Sequence, residues 1–460
     1  MGLEIFELPE KISIQKTISI MVNEKKNHLK KALGVGFGIA ILVGSSIGVG
    51  ILRTPGTIAG MLDNYWLIIA CWLVGGLYVL IGVGTYAELA TMLPKAGGSY
   101  NYIKRAFGNY AGFLTGWYDF INNSLAPALF CIVISEFAVV LFPGLKSQIT
   151  IIALGLLVAF TLLHASGVKS GSIMQQITSI IKVLFFVGFI VACFMYSGVK
   201  FNPIENHSSI LEMSVIIGFF KSLQMVLGTY EGWSSGCFFA EEDENPSKNI
   251  PKSLYTGAIV VILIYVIMNM AFLYVLPVSA LANSTFVASD VANVVFGENG
   301  SIIVTIIAVF SILGILNAYM MIPARILFGL SRDGFFIQKG TTVNKGGTPI
   351  VTLLISSSIA FVLICIGSFE ILFSLGAFMA VIVWGFAYAA LIKLRITEPN
   401  LPRPHKSWGY PFTSIIMILF SIALFFGFAY SDRKSLLIIG IITLLSYPVF
   451  LLLNRTNKKE

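Results

Sequence analysis

Two runs rich in glycine and serine interrupt long apolar stretches of this chain. They comprise residues 44–50 (GSSIGVG) and residues 228–236 (GTYEGWSSG). Glycine costs about 1 kcal/mol in a helix interior relative to alanine, so a helix unwinds most easily at such a run. Unwinding frees backbone N–H groups, which attract an anion, and carbonyl groups, which attract a cation. Each run is therefore a candidate ion-binding site.

The glycines have a second interpretation, in which they only let neighbouring helices approach closely. The first run alone does not separate the two interpretations. A second run, in the sixth apolar segment after four uninterrupted ones, favours broken helices. Inverted repeats of five helices produce that arrangement, with a ligand site between the halves and the two broken helices crossing in opposite directions.

Two charged residues lie deep inside apolar segments. Lys182 is eleven residues into the fifth segment, about 15 Å from its end, which is too deep for its side chain to reach the surface. Its ammonium either exchanges a proton or remains a fixed charge. Glu231 lies in the second run and could pair with a cationic ligand, bind a proton, or pair with a nearby Lys or Arg.

Other polar residues in apolar segments have open roles. Asp119, Asn122, Asn123 and Asn317 suit hydrogen-bonded packing between helices, with Asp119 the best of them for a functional role. Arg53 lies in the outer half of the first segment. It could gate the site, attract anions, or extend its side chain to the membrane surface.

The cysteines and histidines give no basis for a metal site or a disulfide framework. The five cysteines are scattered singly through apolar stretches, without a CxxC pair. The chain has no phosphate-binding GxxxxGK loop, no HExxH, and no GxGxxG after a strand. We therefore predict no metal, no cofactor and no enzymatic activity.

The elements that position these residues are predicted to be membrane-spanning helices. The chain is 57% hydrophobic and 11% charged, and about 20 apolar residues cross a bilayer. The runs are too long for barrel strands, so the fold class is an all-α polytopic membrane protein. The twelve predicted segments are 34–61, 65–92, 111–142, 148–166, 172–198, 213–240, 252–276, 300–324, 349–366, 370–392, 411–430 and 434–453.

These segments predict one integral domain with short polar ends. Residues 1–33 form a leader that is expected to be retained, residues 34–454 the domain, and residues 455–460 a tail. Within the domain the first repeat covers about 34–198 and the second about 213–392, followed by two further helices at about 411–453.

The distribution of basic residues predicts the orientation. If the N-terminus is cytoplasmic, 23 of the 30 Lys and Arg residues lie on that side and 4 on the other. Such asymmetry favours both termini inside, in a plasma or inner membrane. It also accounts for the formal charge of +8, so the charge gives no reason to expect a nucleic-acid partner.

Short motifs along the whole chain resemble the amino acid-polyamine-organocation superfamily of permeases. The resemblance covers about residues 33–454 and keeps both order and spacing. It implies the LeuT-type fold, with five-plus-five inverted repeats. The matching residues are the first run with Ile51, Glu88, residues 94–100 (PKAGGSY), residues 230–233 (YEGW), Glu241, Glu242, residues 245–251 (NPSKNIP), residues 331–334 (SRDG), Arg395 and residues 401–404 (LPRP).

The resemblance also implies where a substrate binds. Its carboxylate meets the amides of Gly48, Val49 and Gly50. Its ammonium meets carbonyls of Ser46 or Ile47 and of Gly228 and Glu231, with Tyr230 and Gly232 in the same segment. Many members carry an aromatic residue in place of Gly228 and an aliphatic one in place of Glu231, so these departures leave the substrate open. In members with the lysine of the fifth helix, here Lys182, its ammonium replaces a sodium ion, which implies sodium-independent coupling.

The expected function is secondary transport of an L-amino acid, small or neutral, by alternating access, with protons or a counter-transported amino acid as the coupling partner. A carrier of cationic amino acids or polyamines is the first alternative, and Glu231 favours it. A membrane sensor that does not transport is the second. The oligomeric state is not determined by the sequence.

Overall fold

The computed structural model describes residues 29–198, 213–366 and 370–456. We number the membrane-crossing helices as spans in chain order. Span 1 comprises Val35–Ser46 and Gly50–Leu62. The others are span 2 Tyr65–Met92, span 3 Asn109–Leu141, span 4 Ile149–Ser166, span 5 Val168–Met195, span 6 Met213–Tyr230, span 7 Pro246–Val275, span 8 Gly300–Arg332, span 9 Ile350–Ile366, span 10 Glu370–Thr397, span 11 Phe412–Ser431 and span 12 Arg433–Thr456.

Shorter helices connect these spans. They are Ser99–Phe107, Val278–Ala282 and Val287–Phe296, with 3-10 turns at Pro143–Gln148, Ser235–Phe239, Gly297–Asn299 and Gln338–Thr341. In the described residues, ten helices are long and apolar enough to cross a membrane, and the two halves of span 1 add an eleventh. Span 9 is apolar but has only 17 residues. The predicted all-α membrane fold is confirmed.

Several helices are longer than their apolar segments. Span 8 continues to Arg332, eight residues past the predicted boundary, and span 10 continues to Thr397. Polar residues can extend a helix beyond the hydrocarbon layer, and an apolar pattern does not detect them. Most of the predicted leader, residues 200–212 and most of the predicted tail lie outside the described residues. The division into two repeats stays a prediction.

The second half of span 1 packs against span 6. Near the breaks, the hydroxyl oxygens of Thr54 and Thr229 lie 3.4 Å apart. Farther from the breaks, the Ser222 hydroxyl oxygen lies 3.7 Å from the Met61 sulfur. Residue numbers thus rise along one helix while they fall along the other, so the two helices run in opposite directions, as predicted.

The loops that follow spans 2, 6, 8 and 10 meet at one end of the bundle, which we call the basic end. Buried Glu88 of span 2 accepts hydrogen bonds from Arg395 at 2.8 and 2.5 Å and from the Ser407 amide at 2.7 Å. Arg403 is 3.4 Å from the same carboxylate. These motif residues are distant in sequence but form one cluster, which explains their joint occurrence.

A second cluster at the basic end joins the chain after span 6 to span 8. Arg325 and Glu242 form two hydrogen bonds of 2.8 and 3.0 Å and are 1% and 0% exposed. Beside them, Glu241 accepts bonds from Arg332 at 2.6 Å and from the Ala96 amide at 2.8 Å. These contacts hold the segments that follow spans 2 and 6 against span 8.

Candidate functional site

Span 1 is broken at the first glycine run. Its first half ends at Ser46, its second half begins at Gly50, and the two are bent by 46°. Ile47 is extended, with φ −77° and ψ 108°. The first turn of the second half directs N–H groups without helical partners, and a partial positive charge, into the break. This is the geometry predicted for Gly48, Val49 and Gly50.

Span 6 ends at Tyr230, two residues before Gly232, whose φ is +99°. A Cβ atom at Gly232 would lie 2.7 Å from the Ser45 carbonyl carbon, so both the conformation and the contact require glycine. The Ser45 hydroxyl oxygen lies 2.6 Å from the Ile41 carbonyl oxygen of its own helix and 3.0 Å from the Gly232 carbonyl oxygen, and its single proton serves one of them at a time. The two breaks are therefore in direct contact. The helix includes Gly228, so the observed interruption begins later than the glycine run.

The carbonyl groups of the first break are held by span 5 and span 8. The Lys182 ammonium, 1% exposed, donates to the Gly44 carbonyl at 2.7 Å and to the Ile47 carbonyl at 2.6 Å. The Ser311 hydroxyl donates to the Ile47 carbonyl at 2.9 Å. A carbonyl oxygen has two lone pairs, so Ile47 has none left for a substrate ammonium.

Tyr265 of span 7 joins the two breaks. Its hydroxyl oxygen is 2.7 Å from the Ser46 carbonyl oxygen and 3.0 Å from the Thr229 carbonyl oxygen. One hydroxyl proton can serve only one of them at a time. Sequence patterns do not single out Tyr265 or Ser311, because tyrosine and serine are common packing residues in membrane helices.

The sixth break is more open. Gly228 is exposed, and no heavy atom lies within 4 Å of the place where its Cβ would be. Glu231 is half-buried and lies near the Asn122 side chain. Among the ion pairs of the described residues, none involves Glu231. A structural pairing of Glu231 with Lys or Arg thus has no support here.

Asp119 lies close enough to Glu231 for their charges to interact. It is 7% exposed, and its Oδ2 atom has no hydrogen-bond partner in the described part of the chain. The Asn123 amide donates to the Asp119 backbone carbonyl at 2.7 Å, which is a packing contact. The two carboxyl groups therefore lie near each other.

The remaining predicted residues differ in position. Asn317 donates to Gln175 at 2.7 Å and to the Gly171 carbonyl at 3.1 Å, so it ties span 8 to span 5. The Tyr230 side chain is buried, with its hydroxyl 3.3 Å from the Trp72 carbonyl, which leaves only its backbone for a ligand. Arg53 is exposed, one turn beyond Gly50.

Two antiparallel half-helices that meet at their unwound ends inside an all-α membrane bundle define the class of broken-helix secondary transporters. The profile of the amino acid permease family matches residues 37–447, and the chain belongs to this family. It is a multi-pass membrane transporter of amino acids, not an enzyme.

Three relatives illustrate the similarity. The serine/threonine exchanger SteT of Bacillus subtilis is 26% identical over 93% of this chain and 98% of its own length. The mouse b(0,+)-type amino acid transporter 1 is 28% identical over 87% of this chain and 83% of its own. The mouse large neutral amino acids transporter small subunit 2 is 28% identical over 85% of this chain and 75% of its own.

Proposed function

We propose that this protein exchanges neutral L-amino acids across the membrane by alternating access. The observation that carries the proposal is the contact between the two breaks, where Gly232 packs against Ser45 and the Tyr265 hydroxyl lies between the Ser46 and Thr229 carbonyls. The N–H groups at Gly48, Val49 and Gly50 suit the substrate carboxylate. The ammonium is assigned to the sixth break, at the carbonyls of Gly228 and Glu231, because the Ile47 carbonyl is already engaged.

Exchange is favoured over proton symport, and sodium independence is proposed with it. The Lys182 ammonium occupies the carbonyl groups of the first break, where a cation would otherwise bind, so no sodium ion is needed to hold them. One relative is named a serine/threonine exchanger. Proton coupling through Lys182 is the alternative. Uptake into liposomes separates exchange from proton symport.

The substrate class follows from the sixth break and from the relatives. Two of them are named for serine and threonine and for large neutral amino acids. Gly228 has open space beside it, so substrate side chains larger than that of serine can be accommodated. The Glu231 carboxylate supports a second candidate function, the transport of cationic amino acids.

The orientation and the domain boundaries remain proposals. The basic end is assigned to the cytoplasm, together with the loop after span 4 and both termini. Residues 34–454 are proposed as a single transport domain. The membrane would be a plasma or inner membrane.

The test is uptake by purified protein in liposomes. Labelled serine, leucine, arginine and putrescine would be supplied to vesicles with or without unlabelled amino acid inside, with and without sodium or a pH gradient. Exchange predicts neutral amino acid uptake that requires internal amino acid and ignores both gradients. Uptake into empty vesicles driven by a pH gradient would contradict exchange, and preferred uptake of putrescine would contradict the substrate class.

Analogues test the assignment of the two charged ends. Leucine methyl ester lacks the carboxylate and N-acetylleucine lacks the ammonium, so neither should compete well with labelled leucine. Effective competition by either analogue would contradict the zwitterion site, whatever the coupling mode.

A further inference from the structure

The loop between spans 10 and 11 forms a basic hollow at the surface of the bundle. The hollow has a volume of about 410 Å³ and is lined by Arg395, Pro399, Leu401, Arg403 and Lys406. Three of these five residues are cations. The hollow is separate from the two breaks and takes no part in the proposed transport site.

The positive charge of the hollow is only partly compensated. Glu88 is the carboxylate paired with Arg395 and Arg403. Lys406 is exposed and forms no ion pair within the described part of the chain. Burial lowers the pKa of the neighbouring His405, so its ring adds no charge near pH 7. Three cations against one carboxylate leave a net charge of about +2.

The donors of the two arginines are used unequally. Arg403 directs both terminal nitrogens to the carbonyls of Leu394, Glu398, Pro399 and Leu401 at 2.9 Å. Its Nε is buried 3.4 Å from Glu88 without a hydrogen-bond partner in the described residues, so Arg403 contributes charge but no donor at the surface of the hollow. Arg395 uses Nε and Nη2 for Glu88 and Ser407 and stacks at 3.9 Å over the Tyr410 ring. Its Nη1 nitrogen and the Lys406 ammonium are the donors that remain for an anion.

An apolar surface begins beside this hollow and continues along span 11. Trp408 is 51% and Phe412 is 74% exposed. Successive exposed residues then follow at helical spacing, over about 21 Å of helix. Tryptophan is typical of the boundary between headgroups and acyl chains. The exposed residues of this face are Ile415, Ile416, Leu419, Ile422 and Phe426.

We propose that the basic hollow binds the phosphate headgroup of an anionic phospholipid, whose acyl chains lie along the exposed face of span 11. The Lys406 ammonium and Arg395 Nη1 contact the phosphate, and the net positive charge selects anionic over zwitterionic lipids. Basic pockets at the cytoplasmic side of membrane helices suit such headgroups. The hollow and the apolar face match the two parts of one lipid molecule.

The test measures lipid retained by detergent-purified protein by native mass spectrometry, after titration with phosphatidylglycerol or phosphatidylcholine. We expect phosphatidylglycerol to bind preferentially, and Lys406→Gln to weaken its binding about fivefold, the effect of one basic residue near an anionic surface. Lys339→Gln is the matched control, since Lys339 is an exposed lysine after span 8. It should retain wild-type binding.

Two further arms distinguish the source of the phosphate. Glycerol phosphate and inorganic phosphate should not compete with phosphatidylglycerol. Trp408→Ala should weaken lipid binding, and any weak binding of either soluble anion should be the same in this variant as in the wild type. Displacement of the lipid by inorganic phosphate would make the hollow a soluble-anion site and overturn the proposal. Equal losses in the Lys406 and Lys339 variants would also overturn it, since they would indicate charge attraction spread over the whole basic end.

Discussion

The two breaks are built from similar glycine-rich sequences but are held in different ways. At the break in span 1, side chains from spans 5, 7 and 8 occupy the freed carbonyls, so it is fixed from outside by Lys182, Tyr265 and Ser311. The break in span 6 is shaped mainly by the positive φ of Gly232 and its contact with Ser45, and Tyr265 reaches only the Thr229 carbonyl before it. This break keeps open space at Gly228 and, at Glu231, a carboxyl group that has no ion pair within the described residues.

The proposed site uses this difference to bind the two charged ends of a substrate. The first break retains N–H groups but has few carbonyl lone pairs left, so it suits a carboxylate. The second break offers carbonyls and a carboxyl group, so it suits an ammonium. We propose that variation in substrate preference arises at the sixth span, where Gly228 has open space beside it.

The largest effect is expected from closing the first break. Gly50→Val would put a branched side chain where even a Cβ lies 3.0 Å from Thr229, and Gly48→Val would meet Ile315 at 2.6 Å. Both should abolish amino acid binding in a scintillation proximity assay. Gly155→Val is the control, since Gly155 of span 4 has open space around it. Normal binding by a folded Gly50→Val protein would reduce the break to a packing feature.

Lys182→Ala should have the next largest effect. It removes two hydrogen bonds from a charged donor, each worth about 1.5–3 kcal/mol, so uptake should fall at least about tenfold. Uptake by wild type and variant would be compared in preloaded vesicles and in empty vesicles with a pH gradient. Lys434→Ala, at an exposed lysine, is the control. Unchanged uptake in both assays would make Lys182 structural and shift attention to Glu231.

Glu231→Gln tests the open break and the second candidate function. We expect neutral amino acid uptake to change less than about tenfold, because glutamine has nearly the same size as glutamate and still offers a side-chain oxygen as an acceptor. Any uptake of arginine or lysine should be lost, because the carboxylate charge is gone. Competition of arginine against labelled leucine measures this directly. Arginine uptake that survives in the variant would remove Glu231 from substrate selection.

The smallest effect is expected from Tyr265→Phe, which removes only the hydroxyl between the two breaks. One neutral hydrogen bond contributes about 0.5–1.5 kcal/mol, so affinity should fall a few-fold. Tyr430→Phe, at a tyrosine that is 84% exposed, should leave affinity unchanged. If the two variants behave alike, the Tyr265 hydroxyl does not couple the breaks.

The fold could largely be predicted from sequence, since apolar length and basic residues are direct consequences of the bilayer. The position of the first break could also be predicted, because each glycine lowers the stability of the helix at its own position. Gly228 is a less reliable marker of the break in span 6, because the helix continues through it. The helix ends near Gly232, and the tertiary contact of Gly232 with Ser45 determines that position. Local composition does not contain that contact.

The partners of the breaks could be predicted only in part. Lys182 was recognisable because a charge in lipid is rare. Tyr265 and Ser311 were not, because their types are ordinary in membrane helices and their function depends on which carbonyl they face. The grouping of Glu88 with Arg395 and Arg403 likewise required the folded chain.

The buried ion pair between Arg325 and Glu242 has a consequence for the return step of the transport cycle. If the basic end opens by moving span 6 away from span 8, an empty protein must separate two charges that are 1% and 0% exposed. Separating such partners before water reaches them costs up to about 3–5 kcal/mol, which slows a step by up to roughly a few thousandfold. A bound amino acid can offset that cost through contacts made only during opening. Return of the empty transporter would then be slow. Return with a bound amino acid would be fast in both directions, which would give one-for-one exchange.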